Sequence, residues 1–570
     1  MKYKNFDLAI YCPAPDLERY DNMDDLAKDI DFFQKHLKVD RVYLETHRNK
    51  VDVSREKMLA VIELFQEKEI AVSGGITPTI RGEMNDRISD RFLNVFCYTD
   101  EEMRQEIKEI SEYTASLFDE FILDDFFFTN CACPSCIETK GSQTWPEFRL
   151  NLMKDVSENL IVGPAKKVNP DVKVIIKYPN WIESFQHSGY NTAAQPAIFD
   201  YIYTGTETRD SKYTHQHLPR YASYSLMRWM ENLKPEHNGG GWFDWIDCIH
   251  NIGYYLEQAY LTAFSKAKEL MLFSFGGLKN TVFVPALGHE LGKLDNYLAK
   301  LGNPTGIKVY EPNHADGEDH LYDYLGMIGL PFEPTPKFPE TGSTILVTEN
   351  SSIDDNIIKK MKAHMLKGGN IVMTSGFLNK MTDKGVEEFT SVSYSDRKVY
   401  TNSYAFETMG CAFANYTKGH KEIIFPALIF KNNTTWPLIV AMDEENSFPL
   451  LTKDNYGNGC IYTLIVPDNF ADLYHLPNPV LNKIRQEVMG DMDVYLEGDS
   501  NVGLFLYDNN TFIIESFLPH RSSIKIHIKG SNIELTELKS SKQVKGQKIS
   551  ENEWVFEFNM EPTNYYLFKY

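Results

Sequence analysis

The chain has 570 residues and a formal net charge of −22 at pH 7, from 58 basic and 80 acidic side chains. Because phosphate groups and anionic lipid surfaces bind cationic faces, this charge argues against nucleic acid and against a membrane surface as partners. Hydrophobic residues make up 42% and charged residues 24%, which is typical of soluble globular proteins and excludes wholesale disorder. The sequence has no run of about 18 uncharged apolar residues, so it predicts no membrane span.

The first residues carry no apolar core and no cleavage site, so no signal peptide is visible. We expect a cytoplasmic location, or a periplasmic one if a signal peptide has been removed. Aromatic residues reach 13%. Two explanations stay open: large aromatic cores, and an open carbohydrate site in which the flat faces of sugars stack on rings.

Short apolar runs alternate with amphipathic stretches from residue 8 to about residue 277. The predicted strands are Leu8–Cys12, Val39–Glu45, Ala71–Pro78, Phe118–Phe126, Val172–Asn180, Phe199–Thr208, Gly239–Trp245 and Leu270–Gly276. Between them, Asp25–His36, Arg55–Lys68 and Asp100–Ser116 have the signals of helices. Eight β-α units in a span of this size predict an α/β fold, a (β/α)8 TIM barrel. A doubly wound open sheet is the weaker alternative, because Cys12-Pro-Ala-Pro follows the first strand where a Gly-x-Gly-x-x-Gly loop would stand.

Beyond residue 279 the pattern changes twice. A smaller α/β unit is predicted from the strands Gly306–Pro312, Ser343–Asn350 and Asn370–Gly376, with the helices Gly317–Leu330 and Ile353–Lys367 between them. From about residue 493 apolar and polar residues alternate, which predicts a C-terminal antiparallel β-sandwich. We therefore expect a catalytic barrel over residues 1–300, an α/β domain over residues 301–490 and a β-sandwich domain over residues 491–570.

Four of the eight cysteines form a distinct group. Cys131, Cys133 and Cys136 make a C-x-C-x2-C run directly after the fourth strand, and Cys97 precedes the helix that leads to that strand. Four thiolates suit tetrahedral Zn²⁺, and a thiolate shell without an open position indicates a structural ion. The alternative is a disulfide pair with spare thiols, although three cysteines within a few residues pair awkwardly.

The segments Phe96-Cys-Tyr-Thr-Asp-Glu-Glu-Met-Arg-Gln-Glu, Glu120-Phe-Ile-Leu-Asp-Asp and Cys131-Ala-Cys-Pro-Ser-Cys resemble the family 42 glycoside hydrolases, the bacterial β-galactosidases. The resemblance implies that the four cysteines bind a structural zinc. It also implies an amidotransferase-like second domain that mediates a homo-oligomer, a trimer. That domain is predicted to be non-catalytic, because it lacks a Gly-x-Cys-x-Gly elbow. Sequence likeness is confined to about forty residues around the cysteines.

One departure from the family matters for the chemistry. The family carries its acid/base as the Glu of an Asn-Glu pair at the end of strand four, and the corresponding positions here are Asp125 and Phe126. The role therefore does not transfer, and the sequence predicts a divergent relative for which β-galactosidase activity is not implied.

Candidate catalytic residues follow from the fold, since TIM barrels carry their active sites at the carboxyl ends of the strands. Glycoside hydrolysis needs two carboxyl groups across the scissile bond, and the candidates are Asp125, Glu207, Asp244 and Asp124. Because successive strand residues point to opposite faces, only one of the two adjacent aspartates is expected to face the mouth directly. The position implied by the resemblance favours Asp125. We expect Asp125 to be nucleophile or base and Glu207 to be the acid, with Asp244 in reserve.

Each of these acids also has a structural explanation. Asp124 is suited to cap the cysteine loop, Glu207 to form a surface ion pair, and Asp244 to cap a loop. Substrate-binding candidates at the same strand ends are Glu45, His47, Lys177, Tyr178, Trp181, Tyr203, Arg209 and Trp242, with Arg48 and Arg81 beside them.

The sequence thus predicts a soluble glycoside hydrolase that cleaves an oligosaccharide or glycan and contains a structural zinc. The main rival is a carbohydrate-binding barrel that has lost catalysis. A barrel enzyme of other chemistry, such as an isomerase or lyase, is less favoured, because no phosphate loop and no oxygen-ligand metal motif is recognisable.

Overall fold

The structure, a computed structural model, describes residues 2–80, 95–340, 344–408, 411–444 and 446–570, without the side chains of residues 407–414. The chain divides into two compact units, residues 1–299 and residues 300–570. No helix in the described part of the chain is both long enough and apolar enough to cross a membrane.

The first unit is a closed barrel of eight parallel strands. Its strands are β1 (Asp7–Cys12), β2 (Arg41–Arg48), β3 (Ala71–Ile76), β4 (Glu120–Leu123), β5 (Lys173–Tyr178), β6 (Tyr201–Gly205), β7 (Asn238–Asp244) and β8 (Glu269–Phe273). The barrel is closed because β1 pairs in parallel with both β2 and β8. A two-residue strand, Val51–Asp52, pairs antiparallel with the end of β2. The predicted TIM barrel is confirmed.

The barrel interior is filled by side chains and is not a pore. Because strand residues alternate between faces, every strand supplies inward and outward side chains. The buried inward cluster consists of Ala9, Tyr11, Tyr43, Ile122, Ile175, Tyr203, Trp242 and Met271. Three tyrosines and a tryptophan in this set account for part of the high aromatic content as core residues.

Helices cover the outside of the barrel. They are Ala14–Glu18, Met23–His36, Arg55–Glu67, Glu101–Ala115, Pro134–Lys140, Trp145–Val156, Gly163–Val168, Phe185–Ser188, Gln195–Ile198, Ala222–Leu233, Ile252–Phe264, Phe275–Leu278 and Phe283–Leu298, with a π-helical turn at Ser157–Val162 and a 3₁₀ turn at Ile182–Ser184. The helix before β4 begins where its sequence predicts, because the Asp100 side chain accepts hydrogen bonds from the backbone N–H groups of Glu102 and Met103.

Strand four is shorter than its apolar run. The sequence predicts Phe118–Phe126, and the strand ends at Leu123. The following residues form a turn in which the backbone N–H of Phe127 donates to the carbonyl of Asp124 at 3.1 Å. Asp124 and Asp125 therefore lie in a turn, and strand alternation does not govern where they point.

The second unit contains a nine-stranded mixed sheet. Across the sheet its strands are Phe332–Thr335, Ile307–Tyr310, Thr344–Val347, Asn370–Thr374, Gly459–Leu464, Asn446–Tyr456, Trp436–Asp443, Val392–Thr408 and Cys411–Phe430. The first five run parallel and the rest join antiparallel. Its helices are Leu321–Gly326, Ile357–Leu366, Ser375–Lys380 and Asn478–Val488, with 3₁₀ turns at Glu349–Ile353, Val386–Glu388 and Phe470–His475. The long antiparallel strands were not predicted from the sequence.

Two antiparallel sheets complete the second unit, as the period-two pattern predicts. One sheet contains Pro304–Thr305, Val502–Tyr507, Thr511–Ser516, Asn564–Lys569, Leu535–Glu537 and Lys542–Val544, and the other contains Val494–Glu497, Ser522–Lys529, Glu553–Met560 and Gly546–Ser550. Fully buried Arg485 connects this region to the helical layer, since its guanidinium donates to the carbonyls of Ile328, Gly498 and Asp499.

Candidate active site and cysteine cluster

A cavity of about 730 Å³ opens at the carboxyl ends of the barrel strands. Its walls are largely apolar, formed by Phe126, Phe128, Trp181, Trp242, Ile246 and Phe273. A few acidic and basic side chains converge inside these walls. Small-molecule sites in proteins combine this range of volume with apolar walls and a few placed polar groups.

Lys177, at the end of β5, joins the acidic groups of the cavity. Its Nζ donates to Oδ2 of Asp125 and to Oε1 of Glu207, each at 2.7 Å, and lies 3.7 Å from Oδ1 of Asp124. The ammonium also lies 4.3 Å from the ring centroid of Trp242, a cation–π contact. Because both short contacts share one nitrogen, the Asp125 and Glu207 oxygens are at most twice 2.7 Å, or 5.4 Å, apart.

Both adjacent aspartates face the cavity, which corrects the expectation that only one would. The reason is the early end of β4, since a turn lets neighbouring side chains reach the same ammonium. The two carboxyls differ in pKa. Burial opposes ionisation of Asp124, but Lys177 and Arg48 outweigh it and hold the pKa of Asp124 below its usual range. Burial raises the pKa of Asp125 to about 7, and the negative charges of Asp124 and Glu207 add to the effect of burial against the opposing charge of Lys177.

Arg48, which follows Glu45 at the end of β2, lines the cavity beside Asp124. Its Nη2 donates to Oδ2 of Asp124 at 2.8 Å, and its Nε donates to both oxygens of Glu45. Glu45 is completely buried and also accepts from the Tyr11 hydroxyl and the Ala14 backbone N–H, each at 2.7 Å. Glu45 does not line the cavity, so the structure assigns it to holding Arg48 and not to contact with substrate.

Arg209 and Asp244 form a second ion pair in the cavity. The guanidinium binds the carboxylate through two contacts, Nε to Oδ1 at 3.0 Å and Nη2 to Oδ2 at 2.7 Å. Oδ1 also accepts the backbone N–H of Ile246, so Asp244 caps its loop as well. Burial raises the pKa of Asp244, and Arg209 acts against this effect. Asp244 is a less accessible proton carrier than Asp125, because both of its oxygens are engaged.

Two predicted substrate-binding residues lie away from the cavity. His47 is buried, with Nδ1 2.8 Å from Oδ1 of Asp52 and Nε2 against the carbonyl of Thr79. The register of β2 against β3 shifts between Glu45 and His47, which redirects the histidine. Tyr178 is the neighbour of Lys177 on β5, so alternation sends it outward, where it packs against Tyr190.

Tyr203 also misses the cavity, although it belongs to the barrel interior. Its hydroxyl lies 3.0 Å from Oε1 of Glu269, the first residue of β8, and therefore near the amino-terminal end of the barrel. The expected placement of Tyr203 at the mouth is thus corrected. Arg81 lies outside the described residues.

The cavity also contains groups that sequence reasoning missed. Asn180 lies two residues beyond β5, and its Nδ2 donates to the Glu207 carbonyl at 2.6 Å. Phe273 ends β8 and stacks on Trp242 with ring centroids 5.5 Å apart. The position of Phe273 at the end of an apolar strand run is the signal in the sequence that marks it as a cavity residue. His215 and Gln216 come from the loop after β6, and no motif in the sequence marks them as site residues.

The four cysteines come together next to strand four. Their sulfur atoms all lie within 4.8 Å of one another, so they are close enough to bind a metal ion. The Cys97 sulfur is 3.7 Å from that of Cys133 and 3.6 Å from that of Cys136. None of the four forms a disulfide, which removes the alternative reading of the sequence. The cluster joins the loop that follows β4 to the start of the helix that precedes it.

Comparison with known proteins agrees with this geometry. The family profile described as probable glycosyl hydrolase, catalytic domain, matches residues 1–287. The chain belongs to this family of probable glycosyl hydrolases. The profile of the family's C-terminal domain matches residues 493–570, and a profile described as the second domain of uncharacterized protein SSO3021 matches residues 302–469. Protein SSO3021 of Saccharolobus solfataricus is 27% identical over 531 residues, which cover 86% of each chain.

Solved structures share the fold of this chain over nearly its whole length. A catalytic mutant of Gan42B, a GH42 beta-galactosidase from G. stearothermophilus, has a TM-score of 0.68 at 13% identity, covering 99% of this chain and 98% of its own. Alpha-L-fucosidase isoenzyme 2 from Paenibacillus thiaminolyticus has a TM-score of 0.65 at 11% identity, covering 100% of both chains. At these identities the likeness concerns the fold.

Proposed function

We propose that this glycosyl hydrolase cleaves a glycosidic bond of a neutral oligosaccharide or glycan with Asp125 and Glu207 as its carboxyl pair. The observation that carries the proposal is the Lys177 ammonium, which contacts both carboxylates in the cavity. Retaining glycosidases have carboxyl groups about 5 to 5.5 Å apart, and inverting ones have them about 6.5 to 9.5 Å apart. A separation of at most 5.4 Å between the nearest oxygens therefore supports a retaining reaction.

The charges of the cavity favour a neutral sugar. The cations Arg48, Lys177 and Arg209 are each engaged with carboxylates. The lining acids Asp124, Asp125, Glu207, Asp244 and Asp247 outnumber these three cations. A uronic acid or sulfated sugar would add negative charge to an already acidic site, whereas the aromatic walls suit the apolar faces of a neutral ring.

The raised pKa of Asp125 supports a division of labour between the two carboxyls. A proton carrier needs a pKa near the working pH, and that of Asp125 is raised to about 7. We therefore assign proton transfer to Asp125, which protonates the leaving oxygen and later activates water. Glu207 attacks the anomeric carbon and forms the covalent glycosyl intermediate. This exchanges the two roles expected from the sequence.

Lys177 and Arg48 support this chemistry without exchanging protons. The buried carboxylates raise the pKa of Lys177 above its usual range despite burial, so its ammonium stays charged. It fixes the positions of Asp125 and Glu207 below the sugar. Arg48 keeps Asp124 ionised, and this fixed negative charge next to Asp125 favours the protonated form of the acid.

The experiment is a screen of aryl glycosides that differ in sugar and in leaving-group pKa. Glu207→Gln is expected to lose at least about 1,000-fold in kcat with every leaving group. For Asp125→Asn we expect kcat to fall about 100- to 10,000-fold with poor leaving groups. With dinitrophenolate, which leaves without a proton, kcat should change little. Asp171→Asn, on an exposed residue before β5 at the opposite end of the barrel, is the control.

Proton NMR of the first product formed tests retention of the anomeric configuration. Unchanged turnover in Glu207→Gln would overturn the assignment of Asp125 and Glu207 as the carboxyl pair. A fall in kcat with all leaving groups in Asp125→Asn would assign the nucleophile role to Asp125 instead. Binding of sugars without turnover of any glycoside by the wild type would favour the rival, a carbohydrate-binding barrel without catalysis.

The cysteine cluster supports a structural zinc. A tetrahedral ion with Zn–S bonds of about 2.3 Å places its sulfur ligands about 3.8 Å apart, close to the 3.6 and 3.7 Å measured from Cys97. All four ligand positions would be filled by protein, which leaves no place for a catalytic water.

We also propose that the chain has three domains, with boundaries near residues 300 and 490. The family resemblance further implies a trimer, and sedimentation equilibrium tests this oligomeric state.

A further inference from the structure

An open groove lies next to the cavity, on the loops that follow β6 and β7. It has a volume of about 510 Å³ and is lined by Tyr213, Trp245, Ile246, Asp247, Ile249 and His250. Ile246 and Asp247 line both the groove and the catalytic cavity, so the two spaces adjoin each other. A ligand longer than one sugar ring can therefore extend from the cavity into the groove.

The groove exposes apolar surface that the fold itself does not need. Tyr213 is 65% exposed and Ile249 is 67% exposed, and Ile246 between them is 37% exposed. Exposed apolar side chains that cluster beside a cavity mark a binding surface more often than single scattered ones do. A backbone hydrogen bond holds the turn that carries Tyr213. The N–H of Tyr213 donates to the carbonyl of buried Asp210 at 3.0 Å.

The composition of the groove indicates what it binds. The rings of Tyr213 and Trp245 offer flat apolar faces, and Asp247 and His250 provide hydrogen-bonding groups beside them. Pyranose rings present this same combination, an apolar C–H face and a rim of hydroxyls. We propose that this groove is a second sugar subsite, in which Tyr213 stacks on the ring adjacent to the one held in the catalytic cavity.

This inference rests on the proposed glycosidase function and specifies its substrate as an oligosaccharide of at least two rings. It predicts that affinity increases with chain length, and that the increase depends on the aromatic ring of Tyr213. Because the catalytic cavity holds the first ring, affinity for a monosaccharide should not depend on Tyr213.

The test uses calorimetry with galacto-, gluco-, manno- and xylo-oligosaccharides of one to four units, on the full chain with Glu207→Gln to prevent turnover. At least one series should bind about tenfold more tightly as a disaccharide than as a monosaccharide. Adding Tyr213→Ala should remove this increment, and Tyr213→Phe, which keeps the ring, should retain it. Ile137→Ala, on an exposed apolar residue of the helix Pro134–Lys140, should have no effect.

The outcomes separate this inference from the proposed function. The subsite proposal would be overturned if the increase in affinity with chain length remained in Tyr213→Ala. It would also be overturned if no series showed such an increase. A Tyr213-dependent increment in a protein whose wild type cleaves no glycoside would support the subsite and overturn the glycosidase. Thermal unfolding of each variant shows whether a lost increment reflects binding or misfolding.

Discussion

Lys177 controls the electrostatics of the candidate site. Three carboxyl groups lie within 3.7 Å of its Nζ, and its side chain is 2% exposed. Because solvent screens charges weakly at so buried a site, a single cation strongly favours the ionised form of nearby acids. Without it, Asp124, Asp125 and Glu207 would repel one another, and the pKa values of Asp124 and Asp125 would be higher.

Replacing Lys177 with Met removes the cation and keeps most of the side-chain length. We expect the pKa of Asp125 to rise further above its value of about 7 in the native site. The alkaline limb of the kcat/KM profile should therefore move to higher pH by about one unit or more, because the acid stays protonated longer. We also expect kcat to fall about 100-fold, since the carboxyl pair loses its positioning contact.

The measurement is a pH–rate profile of the variant against the wild type, with Lys173→Met as the control, an exposed lysine at the start of the same strand. A profile that does not move on the alkaline side would contradict the electrostatic role of Lys177, whatever the loss of rate.

At the scale of elements, the cysteine cluster stabilises the loop that carries the acids. Cys131 follows Asp125 by six positions, and Cys133 is the N-cap residue of the helix Pro134–Lys140. Trp145 and Phe148 pack against the buried sulfur atoms. A metal bound by the four cysteines would tie three elements together: the loop after β4, this helix, and the start of the helix Glu101–Ala115.

Cys133→Ser should therefore lower stability first and activity only secondarily. We expect zinc content to fall from one equivalent to less than about half, because three thiolates and a hydroxyl hold Zn²⁺ poorly. The melting temperature should fall by several degrees, and chelation of the wild type by a strong zinc ligand should have the same effect.

Metal analysis and thermal unfolding check this prediction. Cys460→Ser is the matched control, because Cys460 belongs to the second unit and its sulfur donates a hydrogen bond to the side chain of Asn455. Full thermal stability combined with loss of activity in Cys133→Ser would contradict a structural role for the metal.

At the scale of the whole molecule, several buried acids make stability depend on pH. Burial is the main cause that raises the pKa of Glu257, Glu269 and Glu318 to about 7 and that of Glu311 to about 8. In the unfolded chain these groups titrate near pH 4. Between these values the folded state binds more protons than the unfolded state, so the free energy of unfolding falls as pH rises.

We expect the protein to be more stable at pH 6 than at pH 8. Each acid that is protonated in the folded state and ionised in the unfolded state contributes at most about 1.4 kcal/mol per pH unit to this difference in the free energy of unfolding. The net charge of −22 at pH 7 acts in the same direction, because self-repulsion grows as pH moves above the isoelectric point near 5.2. Glu269→Gln should flatten the dependence, since glutamine does not titrate. Melting temperatures from pH 5.5 to 8.5 check this, and a rise in stability across that range would contradict it.

The sequence alone determined the barrel and the cysteine cluster. Apolar runs of strand length recur eight times among amphipathic helices. Because this pattern is local in the sequence, it predicts the strands and helices without any information on tertiary contacts. The C-x-C-x2-C spacing likewise keeps three thiols within a few residues of one another. In the second unit the long strands Val392–Thr408 and Cys411–Phe430 escaped prediction, because many of their described side chains outside the apolar run at residues 423–430 are exposed or only partly buried.

The tertiary structure alone decided which side chains meet in the cavity. Whether β4 ends at Leu123 or Phe126 changes where both aspartates point, and the sequence does not specify that end. Tyr178 and Lys177 are neighbours, yet one packs outward and the other contacts three acids, because a strand sends successive residues to opposite faces. The pKa of Asp125 likewise depends on charges from the turn after β4, from β5 and from the loop after β6. Those charges are up to 83 positions apart in the chain, and only closure of the barrel brings them together.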